Sequence, residues 1–202
     1  MESMSKKDKL TKLYRRMRRV QLPLKENATH LVFGEGSLNA RLFFIFEAPG
    51  RIENQTCRPL VGSAGRELAR LLAAINLDRA AVYITSILKY RPPDNRNPRT
   101  DEIQAHTPYL LEQIHIIKPS ILIPLGQYAT QFILSRFSKR TVASIPRISR
   151  CHGSWYDGML DCEKVTVMPS YHPAALLYNR KLTGAMKKDF ETLQKRAERD
   201  AG

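Results

Sequence analysis

Three side chains capable of acid–base chemistry follow predicted strands. Glu47 directly follows an apolar run, Glu53 lies further along the same loop, and His172 precedes a proline in a loop after another strand. A carboxylate in such a place can activate water or stabilise a developing cation, and an imidazole can hold charge that develops on an oxygen. Each has a plainer interpretation, because strand-end glutamates often cap the next helix and lone histidines are more often structural.

The surrounding sequence predicts an α/β domain. Apolar runs at 41–46, 82–88 and 120–125 are typical of strands buried on both faces, and amphipathic helical patterns separate them. This alternation predicts a three-layer sandwich in which helices flank a central, mostly parallel sheet of four to five strands. Ligands of such sheets bind at the carboxyl ends of the strands. The segments predicted there are 47–50, 86–93 and 170–179.

Composition narrows the class of protein. The 202 residues include 43% hydrophobic and 26% charged residues, which excludes a wholly disordered chain, a collagen-like repeat and a disulfide-stapled miniprotein. Lys and Arg exceed Asp and Glu by 33 to 19, a formal net charge of +14. Such an excess is typical of proteins that bind nucleic acid or a membrane surface, although a basic enzyme of another kind also fits.

The N-terminal region predicts a separate basic element. Residues 1–20 combine helical apolar spacing with eight Lys and Arg, which predicts an amphipathic helix that tracks DNA or a partner, and 21–202 are predicted to form one domain. No stretch reaches eighteen apolar residues, so no membrane span is expected. Three cysteines without a C-x-x-C pair argue against a zinc site and a disulfide framework. We expect a cytoplasmic, bacterial or nucleoid-associated protein.

Four ordered motifs together resemble family 4 of the uracil-DNA glycosylase superfamily. The family pattern GEAPG is similar to Phe46-Glu-Ala-Pro-Gly50, and the pattern that follows it matches at Glu53 and 58–65. The segment 84–98 resembles the family's I-T-N-x-x-K-C-R-P-P-x-N-R-x-P, and 172–178 resembles its H-P-A/S-x-L-L-R. Motifs in the same order at matching spacing are far more specific than any one of them alone.

The resemblance implies a DNA glycosylase and a role for each motif residue. Glu47 would position the attacking water and stabilise the sugar cation, with Glu53 as the second choice for that role. His172 would donate a hydrogen bond to the departing base. Leu176 would be the wedge that enters the duplex, unless it is an ordinary helix-face leucine; Tyr178, where the family has Arg, would stack on an exposed base or cover apolar surface.

The predicted base pocket departs from the family. Leu60 replaces a Phe that stacks on the base, and Ser86 replaces an Asn that reads the uracil edge. Both changes widen the pocket, which favours a bulkier base, while Phe46 in place of Gly would refill part of the room. Ala48 stands where some related families place a catalytic Asp, so Glu47 would carry more of the task.

The iron–sulfur cluster of family 4 is expected to be absent. The four cysteine ligands of the family correspond here to Arg19, Leu22, Tyr90 and His106, and one histidine cannot replace four thiolates. Tyr90 and Leu22 would fill the space by apolar packing, with His106 as a polar residue on a helix face. No other cofactor or metal is predicted.

DNA is the expected partner, held mainly through its phosphates. A stretch from Arg136 to Arg150 contains five Lys or Arg and no acid, which predicts a DNA-facing loop unless it is simply solvated. The predicted phosphate contacts are Lys89, Arg91, Arg96, Arg136, Lys139, Arg140, Arg147, Arg150 and Lys181.

The leading prediction is a monomeric, monofunctional DNA glycosylase that leaves an abasic site. Its substrate is predicted to be a modified pyrimidine, such as hydroxymethylated or glucosylated cytosine of phage DNA, which would imply antiviral defence. The alternatives are a uracil-DNA glycosylase of base-excision repair and a non-catalytic DNA-binding protein that kept the fold.

Overall fold

The computed structural model describes residues 4–28 and 30–199. The chain alternates helices and strands as the periodicity predicts. The helices are α1 (Lys6–Arg19), α2 (Arg51–Thr56), α3 (Ser63–Ala73), α4 (Thr100–Ile117), α5 (Gln127–Phe137), α6 (Ile148–Cys151), α7 (Ala175–Tyr178) and α8 (Thr183–Arg199). The strands are β1 (Glu35–Gly36), β2 (Leu42–Phe46), β3 (Tyr83–Ser86), β4 (Ile121–Pro124), β5 (Tyr156–Leu160) and β6 (Glu163–Val167).

The sheet is mostly parallel, which confirms the predicted α/β class. Its strand order is β1-β3-β2-β4-β6-β5; the pairs β2–β3, β2–β4 and β4–β6 are parallel. The edge strands β1 and β5 pair antiparallel to their neighbours. The described sheet therefore has six strands instead of the four to five predicted. The prediction missed β1 because a strand of two residues, one of them glycine, has no hydrophobic period.

The buried strands separate two apolar cores. Every residue of β2, β3 and β4 is buried, and successive side chains of β2 point to opposite faces. Phe43 and Ile45 pack in a core with α1, α4 and α5, whereas Phe44 and Phe46 pack with α3 and α8. The result is the helix–sheet–helix sandwich that holds the carboxyl ends of the strands in fixed positions.

Helix α1 packs on the outside of α4. Ser5 caps its first turn by accepting from the backbone N–H of Asp8, and Leu13 and Met17 are fully buried in the same core as Phe43. The Lys6 ammonium donates to the carbonyl of Ile117 at 2.9 Å, so the start of α1 lies beside the end of α4. The two helices therefore run antiparallel.

Two further expectations concern membranes and cysteines. Across the described ranges no helix has the length and apolar character needed to cross a bilayer. Cys57, Cys151 and Cys162 are all free thiols, and only Cys151 is buried.

Candidate active site

A cavity of about 460 Å³ opens at the carboxyl ends of the parallel strands. The cavity lies beyond the end of β2. The strands that follow β2 in the chain, β3 and β4, lie on opposite sides of it, so the strand order reverses at β2. Open α/β sheets bind ligands at such a reversal. Side chains from three loops line it, including Glu47 after β2, Arg96 after β3 and His172 after β6. The structure thus brings together the three segments that the sequence predicted at this edge.

Glu47 supplies an unpaired carboxylate to this cavity. Its backbone is fixed because its carbonyl accepts from the N–H of Leu88 at 3.1 Å. Within the described residues its side chain has no hydrogen-bond or ion-pair partner, and partial burial raises the pKa of the carboxyl group. The helix-cap interpretation of Glu47 is wrong, since Gly50 is the N-cap of α2 and another glutamate completes the capping box. Glu47 is therefore open to a water or a substrate.

Glu53 completes that capping box and shapes the loop. One of its carboxylate oxygens accepts from the N–H of Gly50 at 3.2 Å, and the other accepts from Val61 and Gly62 at 3.0 and 2.8 Å. Gly62 is the N-cap of α3, so one carboxylate ties the starts of two helices together. These bonds let Glu53 position the loop after Glu47. Glu53 also lines the cavity and acts on His172 through its charge, so its second-choice catalytic role stays a prediction.

His172 reaches the cavity as a neutral imidazole. Its Nδ1 accepts a hydrogen bond from the backbone N–H of Ala174 at 3.2 Å, which leaves the proton on Nε2. Burial lowers the pKa of the ring to about 4, so the neutral form prevails at physiological pH. Gly126 abuts the ring's Cβ with φ at +86°, where a side chain would lie 3.2 Å from that atom. A side chain at position 126 would therefore crowd the backbone and Cβ of His172.

The walls of the pocket are apolar. Phe46, Ala48 and Leu60 all line the cavity, and the Phe46 ring centre lies 6.4 Å from that of His172. Leu60 has a positive φ of 49°, and Gly65 allows α3 to approach it, since a Cβ there would lie 1.9 Å from the Leu60 carbonyl oxygen. Phe46 therefore occupies pocket space beside Leu60 and the histidine.

Ser86 does not line the cavity, which corrects its place in the predicted base pocket. Its side chain is fully buried, and its hydroxyl donates to the Leu88 carbonyl at 2.5 Å. The hydroxyl proton is used on a backbone carbonyl two residues on, and the buried side chain does not face the cavity, so it is not placed to contact a base there. The sequence offers no signal for this rotamer.

The two residues predicted to form a wedge, Leu176 and Tyr178, lie in different environments. Leu176 is only 2% exposed and packs in the core with α3 and α8, so it is not available to enter a duplex. Leu177 and Tyr178 line the cavity mouth and are 39% and 90% exposed. Leu176 is therefore removed from the predicted wedge, and the role of Tyr178 stays a prediction. Leu177, which the sequence does not single out, is the exposed leucine that lines the cavity.

Lys89 is not a phosphate contact. Its ammonium is completely buried and donates to Thr85 Oγ1, the Ser86 carbonyl and Gln113 Oε1 at 2.6, 2.6 and 2.7 Å. Burial lowers the pKa of this amine well below its ordinary value. Its role is to bind the end of β3 to α4, and the prediction is corrected on that ground.

The other predicted phosphate contacts differ in how they are held. Arg96 lines the cavity and pairs with Glu102, and Arg91 donates to Asn95 Oδ1 at 2.8 Å. Arg136 lies over the Phe132 ring and Arg140 over the Tyr156 ring, so both stack on the protein surface. The exposed members of the set that make no such contact are Lys139, Arg147, Arg150 and Lys181.

The residues at the four cluster positions do not fit an iron–sulfur cluster. Leu22 and Tyr90 are buried, and Arg19 is exposed. His106 is fully buried: Nδ1 accepts from the Lys89 N–H at 3.1 Å, Nε2 lies 3.2 Å from the Pro23 carbonyl, and the ring meets Tyr90 edge-on. Both ring nitrogens are occupied, which corrects the expectation of a helix-face residue. In the described part of the chain, no three His, Cys, Asp or Glu residues are grouped to hold a metal.

The mostly parallel sheet places a carboxylate and a neutral imidazole in one cavity at its switch point, and the comparisons with known proteins say which family has this arrangement. The chain belongs to the uracil-DNA glycosylase superfamily, whose family model matches residues 33–195. It is 39% identical over 170 residues to the type-4 uracil-DNA glycosylases of Sulfurisphaera tokodaii and Archaeoglobus fulgidus, covering 84% of this chain and 76% and 83% of theirs. It is also 30% identical over 185 residues to a type-5 uracil-DNA glycosylase of Pyrobaculum aerophilum, covering 83% and 75%. The protein is a DNA glycosylase of the family 4 type.

Proposed function

We propose that this protein removes uracil from DNA by hydrolysis and leaves an abasic site. One observation carries the proposal: an unpaired carboxylate, Glu47, and a neutral imidazole, His172, line the same cavity from different strand ends. The named relatives are uracil-DNA glycosylases, which supports uracil over the modified pyrimidines that the pocket substitutions favoured.

The two side chains divide the chemistry. Water adds to C1′ of the deoxyribose and gives a proton to the Glu47 carboxylate, while the electron pair of the C1′–N1 bond leaves with the base. The Nε2–H of His172 donates to the carbonyl oxygen on which that negative charge gathers. A neutral donor suits this task, because the base leaves as an anion and the donor keeps its proton.

The cavity favours a monofunctional enzyme. A lyase needs an amine that reaches the sugar to form a Schiff base. Among the described residues no lysine lines the cavity. The buried amine of Lys89 donates hydrogen bonds to three oxygens and does not reach the cavity. We therefore propose that strand breakage requires added alkali. A monomer acting on DNA in the cytoplasm is part of the same proposal.

Oligonucleotides that contain a single uracil test the proposal. The purified protein is incubated with single- and double-stranded forms, and the products are treated with alkali. We expect strand breaks at uracil only after alkali, with none for matched oligonucleotides that contain thymine or cytosine. Salt-dependent binding without breaks on any substrate would overturn the proposal and favour the non-catalytic DNA-binding alternative.

A second candidate substrate is a larger modified pyrimidine. The observation that favours it is that no side chain takes the place of the family's asparagine, which hydrogen-bonds the edge of uracil. The Ser86 hydroxyl donates to a backbone carbonyl instead, and Asn95 carries the one amide among the cavity-lining side chains described. Phe46 opposes it by occupying the room beside Leu60 and His172.

The two substrates are separated by one variant. Phe46→Leu trims the wall, and the ratio of cleavage between hydroxymethylcytosine and uracil oligonucleotides is compared with the wild type. That ratio does not depend on the folded fraction, which matters because Phe46 is buried and also packs in the core. Preferential cleavage of hydroxymethylated or glucosylated cytosine by the wild-type protein would replace uracil as the substrate and support a role in antiviral defence.

A further inference from the structure

Helix α1 carries a line of basic side chains on the face opposite its packing surface. Leu10, Leu13 and Met17 face the core, whereas Lys12, Arg15 and Arg19 are exposed. Their spacing of three and four residues places these three on one side of the helix. We call Lys12, Arg15 and Arg19 the α1 stripe.

The stripe has no partner within the described residues. Neither a hydrogen bond nor an ion pair holds any of the three side chains there, in contrast to Arg16, which pairs with Glu112 on α4. Favourable interaction with the helix dipole explains basic residues only in the last turn. Lys12 and Arg15 precede that turn, so the dipole does not account for the stripe.

The end of α1 that carries Arg15 and Arg19 lies toward the edge of the molecule that holds the active site. Because α1 runs antiparallel to α4, its end lies beside the beginning of α4, which follows the cavity-lining Arg96. Two contacts agree with this placement: the Pro23 carbonyl lies 3.2 Å from Nε2 of His106 on α4, and Arg18 is near Tyr90. Burial raises the pKa of the Tyr90 phenol, and the charge of Arg18 opposes that shift.

We infer that the α1 stripe binds the phosphates of DNA that flanks the nucleotide in the cavity. The side chains at 12, 15 and 19 span about 10 Å along a helix with a rise of 1.5 Å per residue, which matches about three nucleotides of one strand. Arginine and lysine are the side chains suited to phosphate oxygens. The inference rests on DNA as the partner of this fold and not on uracil as the substrate.

The test compares two triple variants that each lower the net charge by three. The stripe variant is Lys12→Gln, Arg15→Gln, Arg19→Gln. The control variant is Lys7→Gln, Lys118→Gln, Lys164→Gln, three exposed residues: Lys7 near the start of α1, Lys118 after α4 and Lys164 at the start of β6, all toward the opposite edge of the sheet. Binding to a uracil-free duplex of about 30 base pairs is measured between about 50 and 200 mM salt.

Each phosphate contact contributes about 0.9 to the magnitude of the slope of log affinity against log salt. We therefore expect this slope to be smaller in magnitude by about two to three in the stripe variant than in the wild type. Its affinity at low salt should fall about tenfold or more, while the control keeps the wild-type slope. Unchanged binding by the stripe variant, or equal losses in both variants, would overturn the inference. Because the duplex lacks uracil, the result does not depend on whether the protein excises uracil, which the oligonucleotide assay tests separately.

Discussion

The imidazole Nδ1 of His172 accepts a hydrogen bond from the backbone N–H of Ala174, 3.2 Å away and two residues further along the chain. This bond occupies the nitrogen that would otherwise compete for the proton, so the ring presents Nε2–H to the cavity. Since burial lowers the pKa of this histidine to about 4, the donor is uncharged across the physiological range. In the proposed reaction, the departing base would therefore be stabilised by a fixed dipole.

Replacing His172 should slow the chemical step more than it weakens binding. Loss of one donor aimed at developing charge typically costs about 10²–10³ in kcat. We expect His172→Ala to show a loss of that size with KM changed only slightly, because the contact strengthens in the transition state. Single-turnover excision with excess enzyme measures it, and His115→Ala, a partly exposed histidine on α4, is the control. A loss confined to KM would contradict the assigned role.

The pH dependence of excision should report Glu47. Burial raises the pKa of its carboxyl group, and water activation requires the ionised form, so activity should fall as the pH drops through a midpoint above the ordinary glutamate value. The pKa of the His172 ring is lowered to about 4, so its titration is centred below that of the Glu47 carboxyl group. Glu47→Gln should abolish this acid limb and lower kcat by about 10²–10⁴.

The matched control for that experiment is Glu191→Gln, an exposed glutamate on α8. It should leave both the rate and the pH profile as in the wild type. An acid limb that survives in Glu47→Gln would assign the titration to another group and remove Glu47 from the reaction.

The sequence predicts the parts of the fold that local pattern determines. Strands β2 and β4 are apolar on both faces, β3 is buried although it carries Thr85 and Ser86, and the ordered motifs contain Glu47 and His172. What it cannot predict depends on distant packing. Lys89 is drawn inward by Gln113, a hydrogen-bond acceptor 24 positions away, although a lysine beside a turn is typical of a surface. The direction of the Ser86 hydroxyl depends likewise on the local backbone path.

The residues of α7 should separate stability from DNA contact. Leu176 is buried against α3 and α8, so Leu176→Ala should lower the free energy of unfolding by about 2–5 kcal/mol. Tyr178 is 90% exposed, so Tyr178→Ala should change stability by no more than about 0.5 kcal/mol. Excision from duplex DNA should fall in Tyr178→Ala and in Leu177→Ala at temperatures where both are folded. Normal duplex activity in both would show that α7 does not enter the helix.

The protein should fold and act without iron, because its own side chains occupy the positions of the family's cluster ligands. Purified protein should be colourless, and an iron chelator should change neither the melting temperature nor the rate of excision. His106→Ala should lower the free energy of unfolding by about 2–5 kcal/mol, since it opens a cavity and leaves the Lys89 N–H and the Pro23 carbonyl unpaired. Arg19→Ala, at the exposed position of the four, should stay within about 0.5 kcal/mol of the wild type. In this account, hydrogen bonding and packing, including the Tyr90–His106 contact, hold together the region where the family has its cluster. Stoichiometric iron in the purified protein, or loss of activity on chelation, would contradict it.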